Sequence, residues 1–128
     1  MVVDTSAIIA VLLKEPERFE FLRKLARARS RQISAVSYME SAMVLISRLG
    51  AMAEPALDKA LHDASIIVTP VSVAHSSLAI AAFRQYGKGR HPASLNFGDC
   101  FSYALAKSSD EPLLFKGSDF DKTDLKIA

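Results

Sequence analysis

Apolar residues along the chain fall into brief uninterrupted runs and longer stretches where they recur every three to four positions, a contrast that separates strands from helices. Met1, Val2 and Val3 make a run too short for a helix and fit a strand buried on both faces, as in the interior of a parallel sheet. Residues 6–13 predict a short buried helix, broken at Lys14-Glu15-Pro16. Pro16 suits the start of the next helix, residues 17–29, which puts Phe19, Leu22, Leu25 and Ala26 on one stripe and Arg18, Arg23, Lys24, Arg27 and Arg29 elsewhere. Gln32-Ile33-Ser34 reads as a brief strand.

Residues 37–49 predict a helix that turns Met39, Met43, Val44 and Ile46 inward and stops at Gly50. Ser37 and Glu40 have the spacing of a capping box at its start. Glu54-Pro55 opens a helix through Leu57 and Leu61 to Ala64, and residues 66–69 form a third strand closed by Pro70. Residues 73–86 are helical by spacing, burying Leu78, Ala81, Ala82 and Phe83. A glycine-rich basic loop with Lys88 and Arg90 follows, and Asn96 caps a helix running through Phe101, Tyr103, Ala104 and Leu105. Leu113-Leu114-Phe115 is a fourth buried strand, and residues 125–127 predict a short strand at the edge.

Short strands alternating with longer helices predict an α/β three-layer sandwich: a central parallel sheet of four or five strands flanked by helices, in one domain spanning residues 1–128. Right-handed crossovers put the first strand near the middle of the sheet.

Composition narrows the function classes. Half the residues are hydrophobic and 23% are charged, which describes a globular domain with apolar surface to spare for a subunit contact. A formal charge of +2 permits a nucleic-acid partner without requiring one. The single cysteine, Cys100, excludes an internal disulfide and a thiolate metal cluster, and with no long apolar stretch or basic leader the expected location is cytoplasmic, away from the membrane.

The candidate chemistry lies in carboxylates. Asp4 and Asp119 follow the first and fourth strands, while Glu40 and Asp99 lie near the starts of helices that begin at the same edge of the sheet. Ligand crevices of open parallel sheets form at that edge. Taken alone, Asp4 reads better as a helix cap, and the capping box of Glu40 needs no catalysis. Four acids converging could not all stay ionised without a cation, and all-oxygen ligands suit Mg²⁺ or Mn²⁺. Metal-assisted phosphodiester hydrolysis then needs no serine, cysteine or histidine nucleophile, and His62, His75 and His91 lack ligand spacing. A receiver domain would need its acceptor aspartate after a central strand, whereas Asp58 falls within a helix. A phosphatase with an aspartyl nucleophile would want a second aspartate where Ser6 stands.

The segments VVDTSAIIAVL, ISAVSYMESAMVL, GKGRHPASLNFGDCFSYALAK and LLFKGSDF resemble, in order and spacing, the PIN-domain ribonucleases of the VapC toxin family. The resemblance implies a PIN-like parallel α/β fold and Mg²⁺- or Mn²⁺-dependent endonuclease activity on RNA. It also implies a homodimer, and inhibition by a cognate antitoxin protein whose tail covers the site. The family's acidic set falls on Asp4, Glu40, Asp99 and Asp119, with Asp4 and Asp99 as direct metal ligands and the other two completing the shell through water or positioning the attacking water. Thr5 and Ser6 stand where the family has small hydroxyl residues, and Lys116, Arg90 and Lys88 would meet RNA phosphates. Ser118 replaces the asparagine of the family's last motif, which bears on fine positioning there, and Asp121 reads as a solvated turn residue. The alternative expectation is a non-catalytic PIN-fold binding subunit.

Overall fold

The computed structural model describes all 128 residues. Its elements are β1 (Val2–Val3), α1 (Thr5–Leu12), α2 (Arg18–Arg27), β2 (Gln32–Ser34), α3 (Ala35–Leu49), α4 (Ala53–Asp63), β3 (Ile67–Thr69), α5 (Val73–Tyr86), α6 (Phe97–Ser109) and β4 (Leu113–Leu114). The four strands form one sheet in the order β3-β2-β1-β4, all parallel, so β1 is an interior strand as its apolar run predicts. The expected strand at residues 125–127 reduces to a single bridge between Leu113 and Ile127.

Because side chains alternate across a strand, adjacent residues feed opposite cores. Val2 and Leu113 pack with Ala82, Tyr86, Tyr103 and Leu105 of α5 and α6 on one face. Val3, Ile33 and Leu114 pack with Ile8, Phe21, Leu45 and Leu57 of α1 to α4 on the other. That is the three-layer arrangement, with the sheet between two helical layers.

Three helices present faces other than those expected. In α2, Phe21 and Leu25 are buried while Phe19 is exposed, and in α5 the buried stripe is Ala79, Ala82 and Tyr86, leaving Ala81 and Phe83 at the surface. The largest difference is in α3, where Met39 is 52% exposed and Met43 62%, with Val44 and Ile46 also at the surface; Ser37, Ser41 and Leu45 point inward instead. Small side chains there let α1 and α6 approach closely, and their hydroxyls find partners inside: Ser41 Oγ donates to the Ser37 carbonyl at 2.7 Å. The α3 cap also moves. Ser34 accepts the Val36 N–H at 3.3 Å, so the helix starts at Ala35 and no capping box joins Ser37 to Glu40.

Candidate active site

Asp4 follows β1 directly and is the N-cap of α1, only 4% exposed. Its Oδ2 accepts the Ser6 N–H at 2.9 Å and the Ser6 hydroxyl at 2.6 Å, while its Oδ1 accepts the Ser102 hydroxyl at 2.6 Å. Ser6 Oγ in turn accepts the Lys116 N–H at 2.9 Å, which ties the segment after β4 to this end of β1. Asp4 is thus the helix cap that the sequence allowed, with its carboxylate turned among hydroxyl donors.

Glu40 is free to turn toward α1 because Ser34 serves the helix start. Thr5 Oγ1 lies 3.2 Å from Glu40 Oε2 and 3.3 Å from the Ser37 carbonyl, a donor shared between the two. The carboxylate rests against the backbone of Gly98: a Cβ built there would stand 2.0 Å from Glu40 Oε2. Burial, followed by the charge of Asp4, raises the Glu40 pKa, and the Thr5 hydroxyl opposes the shift.

Asp99 occupies the first turn of α6 and forms a reciprocal capping box with Asn96, each backbone N–H reaching the other's side chain at 2.9 Å. Burial nonetheless pushes its carboxyl up to about 6; the Asn96 N–H works against this, and the charges of Asp4, Glu40 and Asp119 add to it. Asp119 is exposed, at the start of the 3-10 turn Phe120–Lys122, and joins the group through that charge.

Asp99 therefore feels the charges of the other three acids and Glu40 that of Asp4, and none of the four takes part in an ion pair. As they stand, no three of the chain's His, Cys, Asp and Glu side chains are arranged to close around one ion. The donor set is an open group of hard oxygens without a neutralising side chain. That fits Mg²⁺ or Mn²⁺, which keep several waters and need few direct carboxylates.

The predicted basic residues are less uniform. Lys116 is paired with Glu15 at 2.5 Å and Glu17 at 3.2 Å, so its ammonium is already engaged. The Arg90 guanidinium lies over the Phe83 ring at 5.6 Å, and Lys88 is exposed in the loop between α5 and α6. Asp121 is exposed. Cys100, beside Asp99, is buried, and desolvation raises its thiol to about 11, so it stays protonated and offers no nucleophile.

The serines beneath the acids carry a feature that sequence reasoning passed over. Ser37, Ser41 and Ser102 are completely buried, and Ser37 Oγ lies 3.0 Å from Ser102 Oγ, which donates to Asp4. Their spacing held a signal, since Ser37 and Ser41 are one turn apart on α3 and Ser102 is one turn beyond Asp99 on α6.

The PIN domain family model matches residues 1–126. Ribonuclease VapC30 of Mycobacterium tuberculosis is 47% identical over 125 residues, covering 98% of this chain and 95% of that protein. Ribonuclease VapC of Mycolicibacterium smegmatis is 48% identical over 125 residues, covering 98% of this chain and 97% of its own length. Among solved structures, Mycobacterium tuberculosis VapC20, a Sarcin-Ricin loop cleaving toxin, aligns with a TM-score of 0.79 at 18% identity over 99% of this chain and 97% of its own. A toxin–antitoxin complex from Klebsiella pneumoniae aligns with a TM-score of 0.72 at 18% identity over 99% of this chain and 95% of that one. These two structures show the fold alone. With the family model spanning nearly the whole chain and relatives close to half identical from end to end, the chain belongs to the PIN-domain family and to its VapC branch.

Proposed function

We propose that the chain is a divalent-metal-dependent endoribonuclease and the toxin of a VapBC-type toxin–antitoxin pair, working in the cytoplasm. The supporting observation is the unneutralised acidic group around Asp99, on a chain 48% identical to a VapC ribonuclease.

In this reading Asp4 and Asp99 hold the cation directly, while Glu40 and Asp119 bind it through water or orient the attacking water. A bound Mg²⁺ or Mn²⁺ lowers the pKa of that water and offsets charge on the leaving oxygen. The protein contributes orientation. Ser6 and Ser102 fix Asp4, Asn96 fixes Asp99, and Thr5 holds Glu40 against Gly98. Water adds to phosphorus as the bond to the leaving oxygen breaks; one proton of that water passes to a carboxylate or to solvent, and the leaving oxygen takes a proton from solvent. Lys88 and Arg90 would meet flanking phosphates, whereas Lys116 would first have to exchange Glu15 and Glu17 for one.

The partners are RNA as substrate, a cognate antitoxin as inhibitor, and a second copy of the chain. The exposed apolar face of α3, with Met39, Met43 and Ile46, supports the homodimer. No helix is long and apolar enough to cross a membrane.

The test is incubation of purified protein with a mixed RNA pool in Mg²⁺ or Mn²⁺, against EDTA and against Asp4→Asn. Cleavage only by the unaltered protein with metal is expected. RNA bound but left uncut would favour the non-catalytic subunit.

A further inference from the structure

Asp4 is held on three sides by donors that leave its two oxygens unequal. Each carboxylate oxygen has two lone pairs. Oδ2 already accepts both the Ser6 N–H and the Ser6 hydroxyl, whereas Oδ1 accepts only the Ser102 hydroxyl. Ser102 uses its single proton on Asp4, so at the 3.0 Å contact with Ser37 it is the acceptor. The hydroxyls therefore point one way, from Ser37 on α3 through Ser102 on α6 to Asp4 after β1. The Ser37–Ser102 end of this chain of hydroxyls lies out of contact with water, both residues being completely buried, while Ser6 and Asp4 form its end toward the surface, Asp4 at 4% exposure. The carboxylate cannot rotate about its Cβ–Cγ bond without abandoning the buried Ser102 hydroxyl, a donor that has no water to replace it.

We propose that Ser102 is a positioning residue for the metal site: it fixes the Asp4 carboxylate so that Oδ1, with one lone pair free, is the atom offered to a divalent cation. The inference rests on the nuclease reading of the acids and adds to it which oxygen is used and what holds it. Residues that orient a ligand commonly change metal affinity tenfold or more when removed, even though they never touch the ion. The same bond joins α6, the helix that carries Asp99, to Asp4 itself. Ser102 thus sets the separation of the two proposed direct ligands as well as the rotation of one.

The experiment is Mn²⁺ titration of the RNA-free protein, following the electron paramagnetic resonance of unbound Mn²⁺, with thermal unfolding recorded on each variant. Ser102→Ala removes the donor. Ser102→Cys keeps close to the volume and replaces the hydroxyl by a weak thiol donor, covering the case in which the alanine variant folds poorly. Ser37→Ala opens a similar gap in the same cluster yet leaves Ser102 bonded to Asp4. About tenfold weaker Mn²⁺ binding is expected for both Ser102 variants, with near-normal affinity for Ser37→Ala and recovery of RNA cleavage by the Ser102 variants when Mn²⁺ is raised. Unchanged affinity in a folded Ser102 variant overturns the proposal while leaving the nuclease reading in place. Equal losses from Ser37→Ala and Ser102→Ala also overturn it, because general packing would then account for the effect. Failure of the unaltered protein to bind Mn²⁺ removes both readings together.

Discussion

At Asp99 two local forces oppose each other. The capping box and the start of α6 favour the ionised carboxyl, but loss of water and three neighbouring acids disfavour it, and the second group prevails, leaving the pKa near 6. The folded-state pKa lies above the ordinary 3.8, so between those values the native protein binds a proton that the unfolded chain does not. Metal-free stability therefore falls as pH rises from about 4 through 6, and the penalty is fully present above that range. Asp99→Asn is expected to stabilise the metal-free protein at pH 7.5 by roughly 1 kcal/mol, a figure reduced for the residue's partial exposure. The gain should vanish near pH 4; urea unfolding at the two pH values checks this, and a gain that grows on acidification would contradict it. Gly98 gives a second test. Alanine there meets the Glu40 carboxylate, which can swing away at little cost. Gly98→Ala should therefore lose RNA cleavage while its stability holds or rises by up to about 1 kcal/mol from helix propensity; full cleavage would show that the seat of Glu40 does not matter. Acids were legible in the sequence at this scale because a carboxylate after a strand stands out. Ser102 and Gly98 were not, since a buried hydroxyl and a missing Cβ take their meaning from a neighbour 98 and 58 positions away, at Asp4 and Glu40.

Elements were legible wherever burial followed hydrophobicity, and α3 shows where it did not. Residues 32–34 and 73–86 have the bounds that periodicity predicts, and Asn96 is the cap of α6. In α3 the methionine stripe suggested an interior face, but the interior there is the underside of the acidic site, which takes serines. The cap was misplaced for the same reason. A serine followed three residues later by glutamate has the form of a capping box, yet Ser37 is committed to Ser102 and Glu40 to Thr5. Ser34→Ala should accordingly cost about 1 kcal/mol of stability as the loss of an N-cap, measured by denaturant unfolding. No loss would return the helix start to Ser37.

For the whole molecule, the three-layer arrangement followed from alternation of strand and helix, whereas the exposed apolar face of α3 could not. An apolar side chain reads the same whether it faces a core or a second subunit, and only the coordinates separate Leu45, completely buried, from Met43 on the same helix. If the proposed homodimer pairs through that exposed face, Met39→Glu with Met43→Glu should yield a monomer by sedimentation equilibrium with little change in unfolding midpoint. A dimer that persists would put the contact elsewhere on the surface.

The pairing of β1 with β4 has a consequence for the order in which the chain can fold. Val2 and Val3 find their partners at Leu113 and Leu114, and the segment after β4 supplies the backbone donor that anchors Ser6 beside Asp4. A polypeptide still on the ribosome and lacking those late residues has its opening strand bonded on one side only, with Asp119 not yet made. The edge that gathers the acids is thus assembled last, once β4 and the segment beyond it have joined the sheet.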